Sequence, residues 1–277
     1  MVHSVYLPHP ALREFVDNIT VTTVDFSVEK DISPIYTFVP THTRFLCFYL
    51  EDKVLVKKYG EDFELKSRSM IIGPQTTPVT LNLGSKHKDV VVCLKPSGMY
   101  RLLGIPLHTI VDKDYDARLV LGAEVDVVTD RLRNAKTDDL KNQIIQKYLL
   151  DKLQFLKPAL PFDMAMLELV RNTGNSRIES VAMRACLSLK QFERESLKRI
   201  GLSPKTYAKM IRFSYAYKLK ELFPNKSWSS ITYQCGYFDQ MHLIRDFKFF
   251  TGSTPGLLTE KEVISSVRFR TLEDVFL

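Results

Sequence analysis

Apolar and polar positions follow three different patterns along the chain. Between Ile35 and Leu94, short runs rich in Val, Ile, Phe, Tyr and Thr are separated by turn-forming groups at Glu51-Asp52, Tyr59-Gly60-Glu61-Asp62, Gly73-Pro74 and Leu83-Gly84-Ser85. Such runs predict a small antiparallel β domain. The run Arg44-Phe45-Leu46-Cys47-Phe48-Tyr49-Leu50 is more continuously apolar than a half-exposed strand requires, which favours a barrel or sandwich with a filled interior and room for a pocket. After Pro96 the spacing becomes helical. Thr137 followed by Asp138 and Asp139 has the form of a cap with acids in the first turn, opening a helix whose stripe Leu140, Ile144, Ile145, Tyr148, Leu149 and Leu153 runs to about Phe155. That stripe must be covered, by the β domain or, in a sharper reading, by a homodimer partner. Lys157-Pro158-Ala159-Leu160-Pro161 then interrupts any helix, because proline removes a donor and disfavours helical geometry before it.

The third stretch repeats itself. A shift of 51 residues superposes Ser188 on Asp239, Phe192 on Leu243, Arg194 on Arg245, Gly201 on Gly252, Ser203 on Thr254 and Pro204 on Pro255, while upstream a shift of 50 pairs Val181 with Ile231 and Cys186 with Gly236. Each copy reads as helix, tight turn, helix, at about residues 177–201 and 227–252. In the second copy Trp228 to Cys235 is a short helix, Gly236 supplies a left-handed turn, and Asp239 caps a helix that buries Leu243, Phe247 and Phe250. In the first, Ser188 caps a helix that buries Phe192.

The unburied side of each second helix carries the chemistry. Lys190, Gln191, Glu193 and Arg194 in one copy, and Gln240, Met241, His242 and Arg245 in the other, are the candidates for reading bases. Arginine can donate two hydrogen bonds to guanine and glutamine can pair bidentately with adenine, while a helix N-terminus favours phosphate. Ser188, Lys205, Lys209, Asp239 and Lys248 are the candidates for contact with the phosphate backbone. Between the copies, Lys205 to Leu222 contains no helix breaker. A helix of that length would span roughly 27 Å, close to the roughly 34 Å that separates successive major grooves on one face of a duplex.

Charge supports this division. Residues 1–160 hold 21 basic and 20 acidic side chains, whereas residues 171–250 hold 15 and 6, so the net charge of +7 is concentrated where the repeat lies. A length of 277 residues favours two domains, placed at 1–158 and 159–277. The start of the chain lacks the basic and apolar segments of a secretory signal, and the apolar runs are only strand-length, so neither export nor membrane spanning is expected and the cytoplasm is the expected compartment. Cys47, Cys93, Cys186 and Cys235 form no Cys-x-x-Cys pair and are expected to be buried reduced thiols. His42 and His87 show no metal-ligand spacing and are expected to serve packing or the surface.

The repeat resembles the DNA-binding domain of the AraC/XylS family of transcription regulators. The resemblance lies in Cys235-Gly236-Tyr237-Phe238-Asp239-Gln240, Arg245-Asp246-Phe247-Lys248 and Thr251-Gly252-Ser253-Thr254-Pro255, with a looser echo in Ala182, Arg194-Glu195-Ser196-Leu197-Lys198 and Gly201-Leu202-Ser203-Pro204. It covers about residues 165–260. Thr232 stands where the family packs alanine, and Ser196 where an aromatic residue fills the core; the latter implies a less rigid first unit. Gly73-Pro74-Gln75-Thr76 is similar to the sensor half of such regulators.

The resemblance implies an α+β protein. An N-terminal small β-barrel or sandwich (cupin-like) domain with helices would sense a small-molecule effector or form a homodimer. A C-terminal all-α domain of two helix-turn-helix units joined by a linker helix would bind double-stranded DNA and contact RNA polymerase. No cofactor, metal or catalytic residue is expected. The alternative is a cupin-like metal-dependent enzyme or sensor fused to a DNA-binding module.

Overall fold

The computed structural model describes residues 1–257 apart from Asp31 and Tyr59; the stretch 258–277 of the expected C-terminal domain and Tyr59 of one expected turn lie outside the described residues. Among the described residues, ten strands belong to the N-terminal part: β1 Val2–Tyr6, β2 Val16–Asp25, β3 Ile35–Phe38, β4 Arg44–Tyr49, β5 Leu55–Lys58, β6 Glu64–Leu65, β7 Ser69–Ile72, β8 Val79–Asn82, β9 Lys86–Leu94 and β10 Asp114–Asp116. They form two antiparallel sheets, ordered β1-β2-β9-β4-β7-β10 and β3-β8-β5-β6. Strands β1 and β2 precede the region in which the sequence pattern was strongest. In β2 the Thr-rich run Asn18-Ile19-Thr20-Val21-Thr22 alternates faithfully but presents polar residues to the interior, which hides it from a search for apolar runs.

Four helices complete this part: α1 Gly98–Leu103, α2 Ala117–Leu121, α3 Glu124–Asn134 and α4 Asp138–Asp151. Both faces of the larger sheet are covered. Phe45, Cys47, Tyr49, Met70, Val91 and Cys93 point toward the smaller sheet. Their strand neighbours Leu46, Phe48, Ile71, Val90, Val92 and Leu94 pack on the helices through Met99, Leu102, Val125, Leu132, Ile145 and Leu149. Two-sided burial explains why every residue of β4 is buried. Thr137 caps α4 by accepting the Leu140 amide at 3.2 Å, and Ile145, Tyr148 and Leu149 are buried within the same chain, with Ile144 and Leu153 packed beside them. Leu140 is 43% exposed, while the rest of the stripe finds its cover within the same chain.

The remaining helices are α5 Pro161–Arg171, α6 Ile178–Arg184, α7 Leu189–Ile200, α8 Pro204–Leu222, α9 Trp228–Gln234 and α10 Gln240–Thr251. They share one apolar core, centred on α8. Phe213 of α8 is fully buried, with its ring 4.9 Å from Phe247 and 5.0 Å from Phe250 of α10. Phe192 of α7 meets Phe162 of α5 at 5.0 Å.

The architecture is α+β, with an N-terminal antiparallel β domain followed by a helical region of two helix-turn-helix units. Among the described residues, no helix is long and apolar enough to cross a membrane. Because Phe213 fastens the linker helix to α10, Phe213→Ala should lower the stability of the C-terminal region by about 3–5 kcal/mol. Denaturant unfolding monitored by helical circular dichroism would measure it, and a loss below about 1 kcal/mol would place that core elsewhere.

Candidate nucleic-acid interface

The sequence repeat is matched by repeated backbone geometry. Ser188 and Asp239 cap α7 and α10, accepting the amides of Gln191 at 3.3 Å and His242 at 2.7 Å. Gly201 and Gly252 close the same helices with φ of 85° and 72°. In the turns that precede them, Cys186 and Gly236 both adopt left-handed backbone, with φ of 53° and 71°. This position corrects one expectation: Cys186 is exposed, because a left-handed residue just past a helix end projects away from the core. The other three cysteines are buried, and burial pushes the Cys235 thiol up to about 12, so it stays protonated.

In α7, Lys190, Gln191, Glu193 and Arg194 are all exposed, while Phe192 is fully buried between them. The Gln191 side chain completes a capping box, its Oε1 accepting from the Ser188 amide at 3.0 Å and hydroxyl at 2.8 Å. Its amide nitrogen remains to donate. In α10, Gln240, Met241, Arg245 and Lys248 are exposed over the buried Leu243, Phe247 and Phe250. Arg245 folds back along its own helix, Nε donating to the Met241 carbonyl at 3.3 Å.

Three candidates are placed differently from their neighbours. Asp239 uses its carboxylate on the His242 amide and would repel phosphate, so its part here is to fix the start of α10. His242 is only partly exposed; its ring meets Tyr237 edge-on at 5.1 Å and its Nε2 lies 4.0 Å from Asp246. Lys209 lies 3.8 Å from Asp246 and over the Phe249 ring, with its side chain about a third exposed.

Asp246 itself is buried on the inner side of α10 and has Arg212 of α8 at 4.0 Å as well. Burial pushes its carboxyl up, against the pull of Lys209, Arg212 and His242. This acid thus ties the second recognition helix to the linker. Spacing alone missed Phe238, 93% exposed in the turn before α10, since a turn residue next to the buried Tyr237 follows no periodic pattern.

The first unit is also fastened to the β domain, a feature with no signal in the sequence. At the C-terminal end of α7, the Arg44 guanidinium, only 3% exposed, donates from Nη2 to the Ile200 carbonyl at 3.3 Å and from Nη1 to the Thr41 and Thr43 carbonyls at 3.1 Å. Burial brings its pKa down to about 10, with Tyr207 and Asp112 opposing that fall. The Tyr207 hydroxyl donates in turn to the His42 carbonyl at 3.3 Å.

Gly201 abuts Pro74 and Leu107 so closely that a Cβ would lie 2.6 Å from the proline ring. Arg199 joins Asp163 at 3.0 Å, Glu195 at 3.0 Å and the Tyr100 ring at 4.8 Å. Ser196 donates to the Leu202 carbonyl at 2.7 Å. A hydrogen bond and interdomain packing thus hold α7 where an aromatic would otherwise fill space. Because this docking engages the end of α7, its first half stays open.

A cavity lies between the two sheets, lined by Tyr36, Phe45, Cys47, Met70, Val91 and other mostly apolar side chains, with Lys66, Gln75 and Asp114 among the polar ones. Its wall adjoins the docking surface, since Phe45 follows Arg44 and Gln75 follows Pro74. His87 is buried beside Asp89 at 3.0 Å, in a packing role, and among the described residues no group of three or more His, Cys, Asp or Glu side chains could hold a metal ion.

Residues 181–261 match a helix-turn-helix domain family, and residues 4–116 match a family described as a domain of unknown function. No curated protein matches the chain in sequence. Among solved structures, ToxT from Vibrio cholerae is similar at 12% identity and a TM-score of 0.48, over 90% of this chain and 99% of that one. A ToxT structure bound to an unsaturated fatty acid gives 12% and 0.43, over 85% and 93%. The AraC-like transcriptional activator CuxR gives 10% and 0.20, over 89% and 80%.

Removing the Arg44 side chain should free the Ile200 carbonyl. Hydrogen bonds to a charged group contribute about 1.5–3 kcal/mol, so in Arg44→Ala amide exchange around Ser196–Leu202 should quicken by about ten- to a hundred-fold. Unchanged exchange would mean that packing at Gly201 alone holds the unit.

Proposed function

We propose that this chain is a DNA-binding transcription regulator of the AraC family and that α7 and α10 enter successive major grooves on one face of the duplex. The observation that carries this reading is the pair of capped helices, each open at its N-terminal half and joined by the 19-residue helix α8. That linker rises roughly 28 Å, near the roughly 34 Å groove repeat. Arg194 and Arg245 read guanine, with Lys190, Gln191, Glu193, Gln240, Met241 and His242 completing the base contacts. Lys205, Lys209 and Lys248 meet phosphates, while Ser188 and Asp239 present the first amides of each helix to the backbone.

The N-terminal domain is the regulatory half of this proposal. A small-molecule effector in the cavity between the sheets acts on the first unit through Arg44 and Pro74, which lie next to cavity-lining residues and touch the end of α7. RNA polymerase is the partner at the promoter, a homodimer is the form expected on paired sites, and the cytoplasm is the compartment. The chain is read as non-enzymatic. Stoichiometric zinc, iron or manganese in the purified protein would instead favour the metal-dependent reading of the β domain.

Genomic footprinting followed by titration of the recovered site tests the DNA reading. Full-length protein should prefer that site over scrambled duplex, with affinity falling steeply as salt rises. Arg245→Ala should cost about 1–3 kcal/mol on the cognate site and relax selection at one base pair. An equal loss on every sequence would reassign Arg245 to phosphate, and salt-insensitive binding without sequence preference would overturn the proposal.

A further inference from the structure

Resting on the effector reading of the cavity, we propose that it takes an uncharged, largely apolar molecule that carries a hydroxyl group. The charged side chains at the cavity already satisfy one another. Lys66 lies 2.7 Å from Asp114 and 2.5 Å from Glu64, and Lys58 lies 2.5 Å from the other oxygen of Asp114, which makes two lysines against two carboxylates. An anionic or cationic ligand would have to break into that set. Phe38, Phe45, Met70, Leu81 and Val91 offer it only apolar surface elsewhere.

Outside that ion-paired set, two polar groups in the lining have no hydrogen-bond partner. Gln75, 6% exposed, donates through Nε2 to the Lys113 carbonyl at 3.3 Å, which fixes the amide, while its Oε1 has no partner. The hydroxyl of Tyr36, 3% exposed, has none either. Buried polar groups of this kind are ordinarily hydrogen-bonded. The oxygen of Gln75 can only accept and so requires a donor, which a ligand carboxylate lacks and an alcohol supplies. Burial, and then Asp89, push the Tyr36 hydroxyl well above its ordinary pKa, so it remains a neutral donor and acceptor that can pair with the same kind of group. A hydroxyl supplies what each of these groups lacks, whereas a carboxylate on the same skeleton can accept from Tyr36 but leaves the Gln75 oxygen without a donor and brings an unpaired charge against an apolar wall.

The test uses full-length protein with two matched probe series, 1-octanol, octanoate and octylamine, and 2-naphthol with 2-naphthoate, read by thermal shift and calorimetry at neutral pH. The alcohol of at least one series should raise the melting temperature and bind about ten-fold more tightly than its acid or amine. Gln75→Leu should erase that preference, with Tyr36→Phe as the conservative second variant should the first fail to fold. Leu81→Trp, which fills the cavity, should abolish binding of every probe. Binding of the acid or amine as tightly as the alcohol, with loss in Leu81→Trp, would overturn the hydroxyl assignment and leave the effector cavity standing. Failure of every probe to bind would overturn both, and DNA titration of the same preparation would show separately whether the regulator reading survives.

Discussion

The structure turns on the carbonyl end of α7. Helix ends leave carbonyl groups without partners, and here the Gly201 amide donates back to the Ser196 and Leu197 carbonyls while Arg44, arriving from the β domain, donates to that of Ile200; the Ser196 hydroxyl reaches past the helix to the Leu202 carbonyl. A guanidinium buried at such a place is costly to desolvate, and three backbone carbonyls together with the face of Tyr207 compensate it. The result is a rigid seat under the first recognition helix, built from the same strand that walls the cavity.

This arrangement makes the two helix-turn-helix units unequal. In the second, α10 packs on α8 and α9, and a buried acid, Asp246, gathers Lys209, Arg212 and His242 around its inner side. In the first, α7 also rests on α1 and on the turn Leu107–Thr109 of the β domain. The proposed effector cavity is thus linked to α7 by direct contacts of the β domain.

The larger sheet lies between these parts, with helices covering one face and the smaller sheet the other, so its side chains pack against both. Its inner face carries, beside apolar residues, a polar set that includes Thr20, Tyr49, His87 and Asp89. Such groups are costly to bury and add little to a core, so their placement is better understood as shaping an interior than as filling one.

Local rules were enough to read the C-terminal units. Caps at Ser188 and Asp239, left-handed closure at Gly201 and Gly252, and the spacing of Phe192, Leu243 and Phe247 depend on neighbours within a few residues, and the repeat doubled each signal. The existence of a β domain was legible for the same reason, through turn residues and short apolar runs. Tertiary structure alone decided the rest. The Arg44 contact to Ile200 spans 156 positions, and the surroundings of Asp246 depended on Lys209 and Arg212 arriving from α8. Period and composition record which residues want to be buried, but which distant group meets a carbonyl or carboxylate is settled only when the sheets and helices pack.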